Sequence, residues 1–332
     1  MERHGRVQGQ RAPILRIVEF PRYMRDATSF PGMIGISEST GFNSRLDGEE
    51  AIDYPFYVTA HEVAHQWWGQ QVVAANVQGA AMLHESLARY SALMVMEAEF
   101  GLPGVRRVLR YEHEWYLRGR GGERGVEPPL ALAERQDYVY YHKEALAMYA
   151  LRDAVGEARL NQALSRFLSR FALSGAPYST TAELLEEIRP TVPAESAHLV
   201  EDLFERVTMY DNKGVAATST QRADGTFLVR VEIEARKRRT DSVGVEREIP
   251  LDSWIDIAIF GESEGSGTVS ARANRLPAAS GCGTTTANSA GFLEAFRSVV
   301  SGPVVGYRTH SGSPTSQRTA CSMAVRAPSV IR

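Results

Sequence analysis

The run His61-Glu62-Val63-Ala64-His65 carries the strongest chemical signal in the chain. On a helix, positions four apart share a face, so both imidazoles can turn toward one ion. Neutral imidazole suits zinc, and two of them require a further protein ligand and an open position for water. Glu62, one residue on from His61, can reach a water held by that ion and serve as its base. The plainer reading is a pair of ordinary core or surface histidines on a helix. Glu85 narrows the choice. It follows His65 by twenty residues in LHESLARY, on what reads as the next helix, and would complete a His, His, Glu set. A solvated acid near a helix start is the bland account of Glu85. His84 competes for the same place, but neighbouring helical residues point about 100° apart, so one of the two must face elsewhere.

Two adjacent helices are needed to position these side chains, and the hydrophobic pattern supplies them. From Tyr57 to about Val73, the residues Val58, His61, His65 and Trp68 recur at helical spacing. From Met82 to Glu99, Leu87, Tyr90, Leu93 and Met94 make a wide apolar stripe, which Gly101 and Pro103 interrupt. Helical periodicity returns over residues 105–117, 140–155, 158–171, 182–188 and 197–210. Thr180 and Glu183 are spaced for a capping box, and residues 118–129 read as a glycine-rich charged connection. Upstream, residues 14–20 and 33–42 read as strands, with loops between them and over 43–50.

After Asn212 the period changes to two. Phe227, Val229, Val231 and Ile233 alternate with polar neighbours behind an Asp224–Gly225 turn, and residues 249–260 are expected to pair with them. Residues 261–332 are more than half Ser, Gly, Thr and Ala, with no Lys or Asp, and are expected to be largely disordered. The fold class expected is α+β. A flexible lead-in (1–13) precedes a mostly helical domain (14–211), a small antiparallel β-domain (212–260) and the low-complexity tail (261–332).

Composition excludes several classes. Among 332 residues, 37 are Lys or Arg and 40 are Asp or Glu, for a formal charge of -3, which argues against a dedicated nucleic-acid binder. An apolar fraction of 43% can fill a real core. Cys282 and Cys321 are too few for a disulfide scaffold or a thiolate cluster. No stretch reaches the length of an apolar membrane span. The first residues lack the apolar centre of a signal peptide, which favours the cytoplasm.

HEVAHQWWGQQV followed by LHESLARYSALMVMEAEF resembles the M1 family of zinc aminopeptidases, the gluzin branch. More narrowly, it resembles the peptidase portion of bacterial proteins that fuse ABC-transporter-type permease segments to an M1 domain. The resemblance covers roughly residues 14–260. It implies a thermolysin-like, mostly helical core, incomplete on its N-terminal side, holding one Zn2+ and acting on peptides. Membrane association is implied wherever the permease part is present. The implied ligands are His61, His65 and Glu85, with Glu62 as general base. The usual family spacing is one residue shorter and would select His84; the permease-fused branch carries the extra residue and keeps the role at Glu85.

Tyr141-His142-Lys143-Glu144 matches the family's Tyr-x-Lys-Gly element. That gives Tyr141 the support of the transition state, with Glu144 in place of glycine and with Tyr138 and Tyr140 close by. The family's Gly-x-Met-Glu-Asn strand has a faint counterpart around Glu38, implied to hold the substrate's free amine, although its Gly, Met and Asn are absent. The activity implied is removal of N-terminal residues from peptides. A zinc endopeptidase and a non-catalytic M1-like binding domain are the other readings open to the sequence.

Overall fold

The computed structural model describes residues 14–22, 26–44, 46, 52–221, 227–251 and 255–259, with short strands at 269–273, 286–288, 299–301 and 318–326. The chain divides into two units, residues 1–207 and 208–332. In the first unit, β1 (Arg16–Phe20), β2 (Ala27–Phe30) and β3 (Met33–Ser37) form a sheet of order β1-β3-β2. β1 runs parallel to β3 and β2 antiparallel to it. The segment expected as a loop thus supplies β2, and Gly32, at φ 73°, closes the tight β2–β3 turn. Ile34 and Ile36 alternate into the core. The strand expected through residue 42 stops at Ser37 and becomes the single-turn helix α1 (Glu38–Gly41). There the Ser37 and Thr40 hydroxyls bond each other and both accept from the Asp26 amide, beside the last backbone bond from the Ser37 amide to the Asp26 carbonyl.

Helix α2 (Tyr54–Ala64) begins three residues before the expected start because Asp53 accepts from the Phe56 amide and Pro55 occupies the first turn. It ends before His65, and the chain folds into a tight turn in which Gly69 has φ 107° and Trp68 bridges Val72. Its inner face buries Tyr57 and Ala60 against Ala92, Leu93, Met96, Val105 and Val108. A π-helical turn, Met82–Ser86, leads into α3 (Leu87–Gly122). That helix is broken at Gly101, where φ is 66° and ψ is -173°.

Beyond the break, α3 continues well into the stretch expected as a glycine-rich connection. Gly119 makes that possible: a Cβ there would lie 2.2 Å from the Tyr138 Cβ, so only glycine lets this helix lie against a second π-turn, Tyr138–Lys143. α4 (Glu144–Val155) and α5 (Glu157–Phe171) follow, and α6 (Thr181–Ile188) starts on the expected capping box of Thr180 and Glu183. α7 (His198–Val200) passes into a π-turn at Glu201–Glu205. β4 (Val207–Gln221) then takes over where helix was expected to reach Tyr210.

The second unit is built of strands. β5 (Phe227–Thr240) carries the alternating run and lies between β4 and β11 (Arg318–Arg326), with β9 (Thr286–Asn288) beyond β11. The expected pairing of residues 249–260 with this run holds only for β6 (Glu246–Ile249), where Lys237 faces Ile249. β7 (Ile255–Ile259) instead joins β8 (Val269–Ala273) and β10 (Val299–Ser301). Four strands are therefore described within the tail; the rest of it, the lead-in and the Asp224–Gly225 turn lie outside the described residues. Among the described residues no helix is long and apolar enough to cross a membrane.

The Gly101 backbone occupies a region that is nearly glycine-only, and a Cβ there would meet only ordinary contact with Pro103. Gly101→Ala should therefore destabilise the first unit through conformational strain, by about 1–3 kcal/mol in denaturant unfolding.

Candidate metal centre

His61, in the last turn of α2, and His65, at its C-cap, meet edge to face one turn apart, with their Nε2 atoms 3.0 Å from each other. The first π-turn brings the Glu85 Oε2 to 3.2 Å from the His61 Nε2 and 3.4 Å from the His65 Nε2. Three donors each about 2 Å from a shared zinc ion would stand at such separations. The chemistry of the donors agrees. The His65 Nδ1–H donates to the Trp68 carbonyl across 2.9 Å, which turns the Nε2 lone pair toward the cluster. Burial lowers the His61 pKa to about 4, so that ring is neutral. Burial pulls His65 down as well, but the Glu85 carboxylate outweighs it and the net shift is upward. Burial alone would push Glu85 up; the two imidazoles hold it far below the usual carboxylate range. An ionised carboxylate and a neutral imidazole are what a divalent ion needs.

The same turn decides between Glu85 and its neighbour. The His84 Nε2 accepts from the Ala74 amide at 3.1 Å, so this ring braces the turn after α2 and faces away from the donor triangle. Glu62 lies beside the cluster, 6% exposed, and burial pushes its pKa up to about 7. The negative charges of Glu85 and Asp26 act in the same direction, and His65 opposes them.

Tyr141 sits on the second π-turn. Its ring lies 6.3 Å from that of His61, and burial, reinforced by the Glu85 charge, pushes its pKa up. The neighbouring tyrosines are otherwise engaged: Tyr138 donates to Glu123 at 3.3 Å, and Tyr140 leans on the Tyr141 ring at 4.8 Å. Two π-turns thus meet at the site. Such turns leave backbone groups out of the regular ladder and are frequent at functional sites. Here the Ser86 hydroxyl donates to the Tyr140 carbonyl at 3.0 Å and ties one turn to the other. Lys143, next along, is buried in an ion pair with Glu127 at 2.7 Å. Glu144 is fully buried with neither oxygen hydrogen-bonded, and burial drives its pKa well up, toward the neutral acid.

Glu38 is the remaining site residue expected from the sequence. It opens α1, half-buried, and among the described residues its side chain makes no hydrogen bond or ion pair with the cluster. The hydrogen bonds between the small sheet and the chain at the end of α2 run through Gln70, whose amide donates to the Ser29 carbonyl at 3.0 Å, and chiefly through Gln66, which sequence reasoning missed. Its amide donates to the Ser29 Oγ and the Phe30 carbonyl, each at 2.8 Å, and accepts from the Gly32 amide at 2.9 Å. A polar residue directly after a helical ligand, on the buried side, is the signal that could have found it. Arg89 and Glu112 were also missed. Arg89 follows Glu85 by one helical turn, a spacing visible in the sequence; its partner Glu112 is far along the chain.

The model of the peptidase family M1 domain matches residues 13–206. Human endoplasmic reticulum aminopeptidase 2 is 26% identical over 176 residues, covering 49% of this chain and 18% of that protein. Aminopeptidase N of Haemonchus contortus is 23% identical over 197 residues, covering 52% of this chain and 19% of that protein. The chain thus spans less than a fifth of the length of either relative. Among solved structures, the M1 zinc metallopeptidase from Deinococcus radiodurans aligns at 26% identity with a TM-score of 0.42, over 57% of this chain and 38% of that one. Legionella pneumophila aminopeptidase A in complex with aspartic acid aligns at 14% identity and a TM-score of 0.46, over 78% and 28%.

Ser86 is fully buried, and its truncation leaves the Tyr140 carbonyl without that donor. Ser86→Ala should lower unfolding stability by about 1–3 kcal/mol, read from denaturant midpoints at constant slope.

Proposed function

The chain belongs to peptidase family M1, and from that premise we propose that it is a zinc-dependent aminopeptidase that removes N-terminal residues from peptides. The observation that carries this reading is the convergence of His61, His65 and Glu85 on one point with Glu62 beside them. In this account His61, His65 and Glu85 hold one Zn2+. When bound, the ion polarises a carbonyl and lowers the pKa of water toward about 7.

The remaining work falls to the chain's own side chains. Glu62 accepts the proton of the attacking water and returns it to the departing amine, a role suited to a carboxylate whose burial sets its pKa near neutrality. Tyr141 donates its hydroxyl hydrogen to the oxyanion that develops on the substrate carbonyl; its ring stands beside the cluster, 6.3 Å from that of His61. A domain that only bound peptides would have no use for a buried carboxylate in the position of Glu62, which favours hydrolysis over the non-catalytic reading.

The restriction to free N-termini rests on Glu38 alone, whose surroundings in sequence lack the Gly, Met and Asn of the family's strand and whose side chain makes no hydrogen bond or ion pair with the cluster among the described residues. That observation keeps an endopeptidase as the second reading. Rates on a free peptide and its N-acetylated form separate the two: an aminopeptidase cleaves only the free peptide, and an endopeptidase cleaves both.

Metal analysis combined with hydrolysis of an aminoacyl chromogenic substrate tests the roles one by one. Glu62→Gln should retain one zinc and lose turnover, whereas His65→Ala should lose both. Tyr141→Phe should retain zinc and lower kcat by about 100-fold. Full activity in Glu62→Gln would overturn the base assignment.

A further inference from the structure

A buried ion pair lies directly behind Tyr141. Arg89 stands one helical turn after Glu85, and its guanidinium carbon is 4.8 Å from the centre of the Tyr141 ring and 5.5 Å from that of Tyr57. The Arg89 Nη1 donates to the Glu112 Oε1 at 2.6 Å, and the Tyr57 hydroxyl donates to the same oxygen at 2.7 Å. The other carboxylate oxygen, Oε2, is 2.5 Å from the Nδ1 of His142, the residue after Tyr141. Glu112 is wholly buried. One carboxylate thus gathers α2, both halves of α3 and the second π-turn, and it holds Tyr141 in two ways: through the imidazole next in the chain and through the cation on the ring face.

Resting on the role proposed for Tyr141, we propose that Arg89 is a positioning residue, whose guanidinium, pinned by Glu112, fixes the phenol against the ligand cluster. A π-turn has fewer regular backbone bonds than an α-helix to define the direction of its side chains. A planar cation on the ring restores that definition, because the attraction depends on where the ring lies relative to the charge. Lysine is a poor replacement: it keeps the charge that Glu112 needs but loses the flat fork that both stacks and pairs. Arg89 touches neither substrate nor metal in this account. It acts through Tyr141, and its removal should be felt in turnover rather than in substrate binding.

The test uses the zinc-loaded full chain and Arg89→Lys, which retains a positive charge beside Glu112. Alone it should lower kcat by roughly ten-fold with KM within about two-fold and zinc content unchanged. In a Tyr141→Phe background the same substitution should change kcat by less than about two-fold, because the hydroxyl to be positioned is gone. Equal losses in the two backgrounds would overturn the proposal and leave Arg89 as a structural ion pair.

A second readout does not need activity. With 13C-labelled tyrosine, and Tyr141→Phe to assign the signal, Arg89→Lys should move or broaden the Tyr141 ring resonance with and without zinc. An unchanged resonance would also overturn the proposal. If the wild-type chain hydrolyses no peptide, the hydrolase reading fails, while the ring resonance still decides whether Arg89 positions Tyr141.

Discussion

Two imidazole nitrogens and a carboxylate oxygen, all within 3.4 Å of one another, set the terms for the rest of the first unit. Groups held so close and half stripped of water are stable only when their charges and protons are arranged to match, or when a cation lies between them. The surrounding chain can be understood as what that arrangement requires. Helix α2 and its C-cap supply the two rings at the spacing that puts them on one face. The turn after it supplies the Trp68 carbonyl that fixes the His65 tautomer. The π-turn at Met82–Ser86 aims Glu85 inward and sends His84 outward to the Ala74 amide.

A second layer of polar contacts keeps those elements in register. Gln66 clamps the end of α2 to the β2–β3 hairpin through side chain and backbone. Ser86 joins the two π-turns, and Glu112 draws together Tyr57, Arg89 and His142 from distant parts of the chain. Each of these is a buried polar group with a partner, the condition under which burial of polarity adds definition rather than only a penalty. Glu144 does not meet that condition. It is buried without a hydrogen bond, and its carboxyl is pushed toward the neutral form that burial tolerates best.

Much of this was legible in the sequence because it is local. Helical spacing alone put His61 and His65 on one face, and the Thr180–Glu183 box, read from four residues, starts α6 as expected. The ends of elements were less legible. α2 starts early because a proline and an aspartate act together, and α3 runs on through a glycine-rich stretch because Gly119 is a packing residue against Tyr138 rather than a turn residue. Glycine means both things, and only the partner's position tells them apart. The preference for Glu85 over His84 rests on a π-turn, which no apolar periodicity records. Glu112 was invisible for a different reason: its importance comes from three side chains far away in sequence, and a lone acidic residue on a long helix resembles a solvated one.

Anomalous diffraction at the zinc edge, from crystals of the zinc-loaded chain, measures the central claim most directly. The account predicts one strong peak about 2 Å from the Nε2 atoms of His61 and His65 and from a carboxylate oxygen of Glu85. A peak held by other residues, with the donor triangle empty, would contradict it.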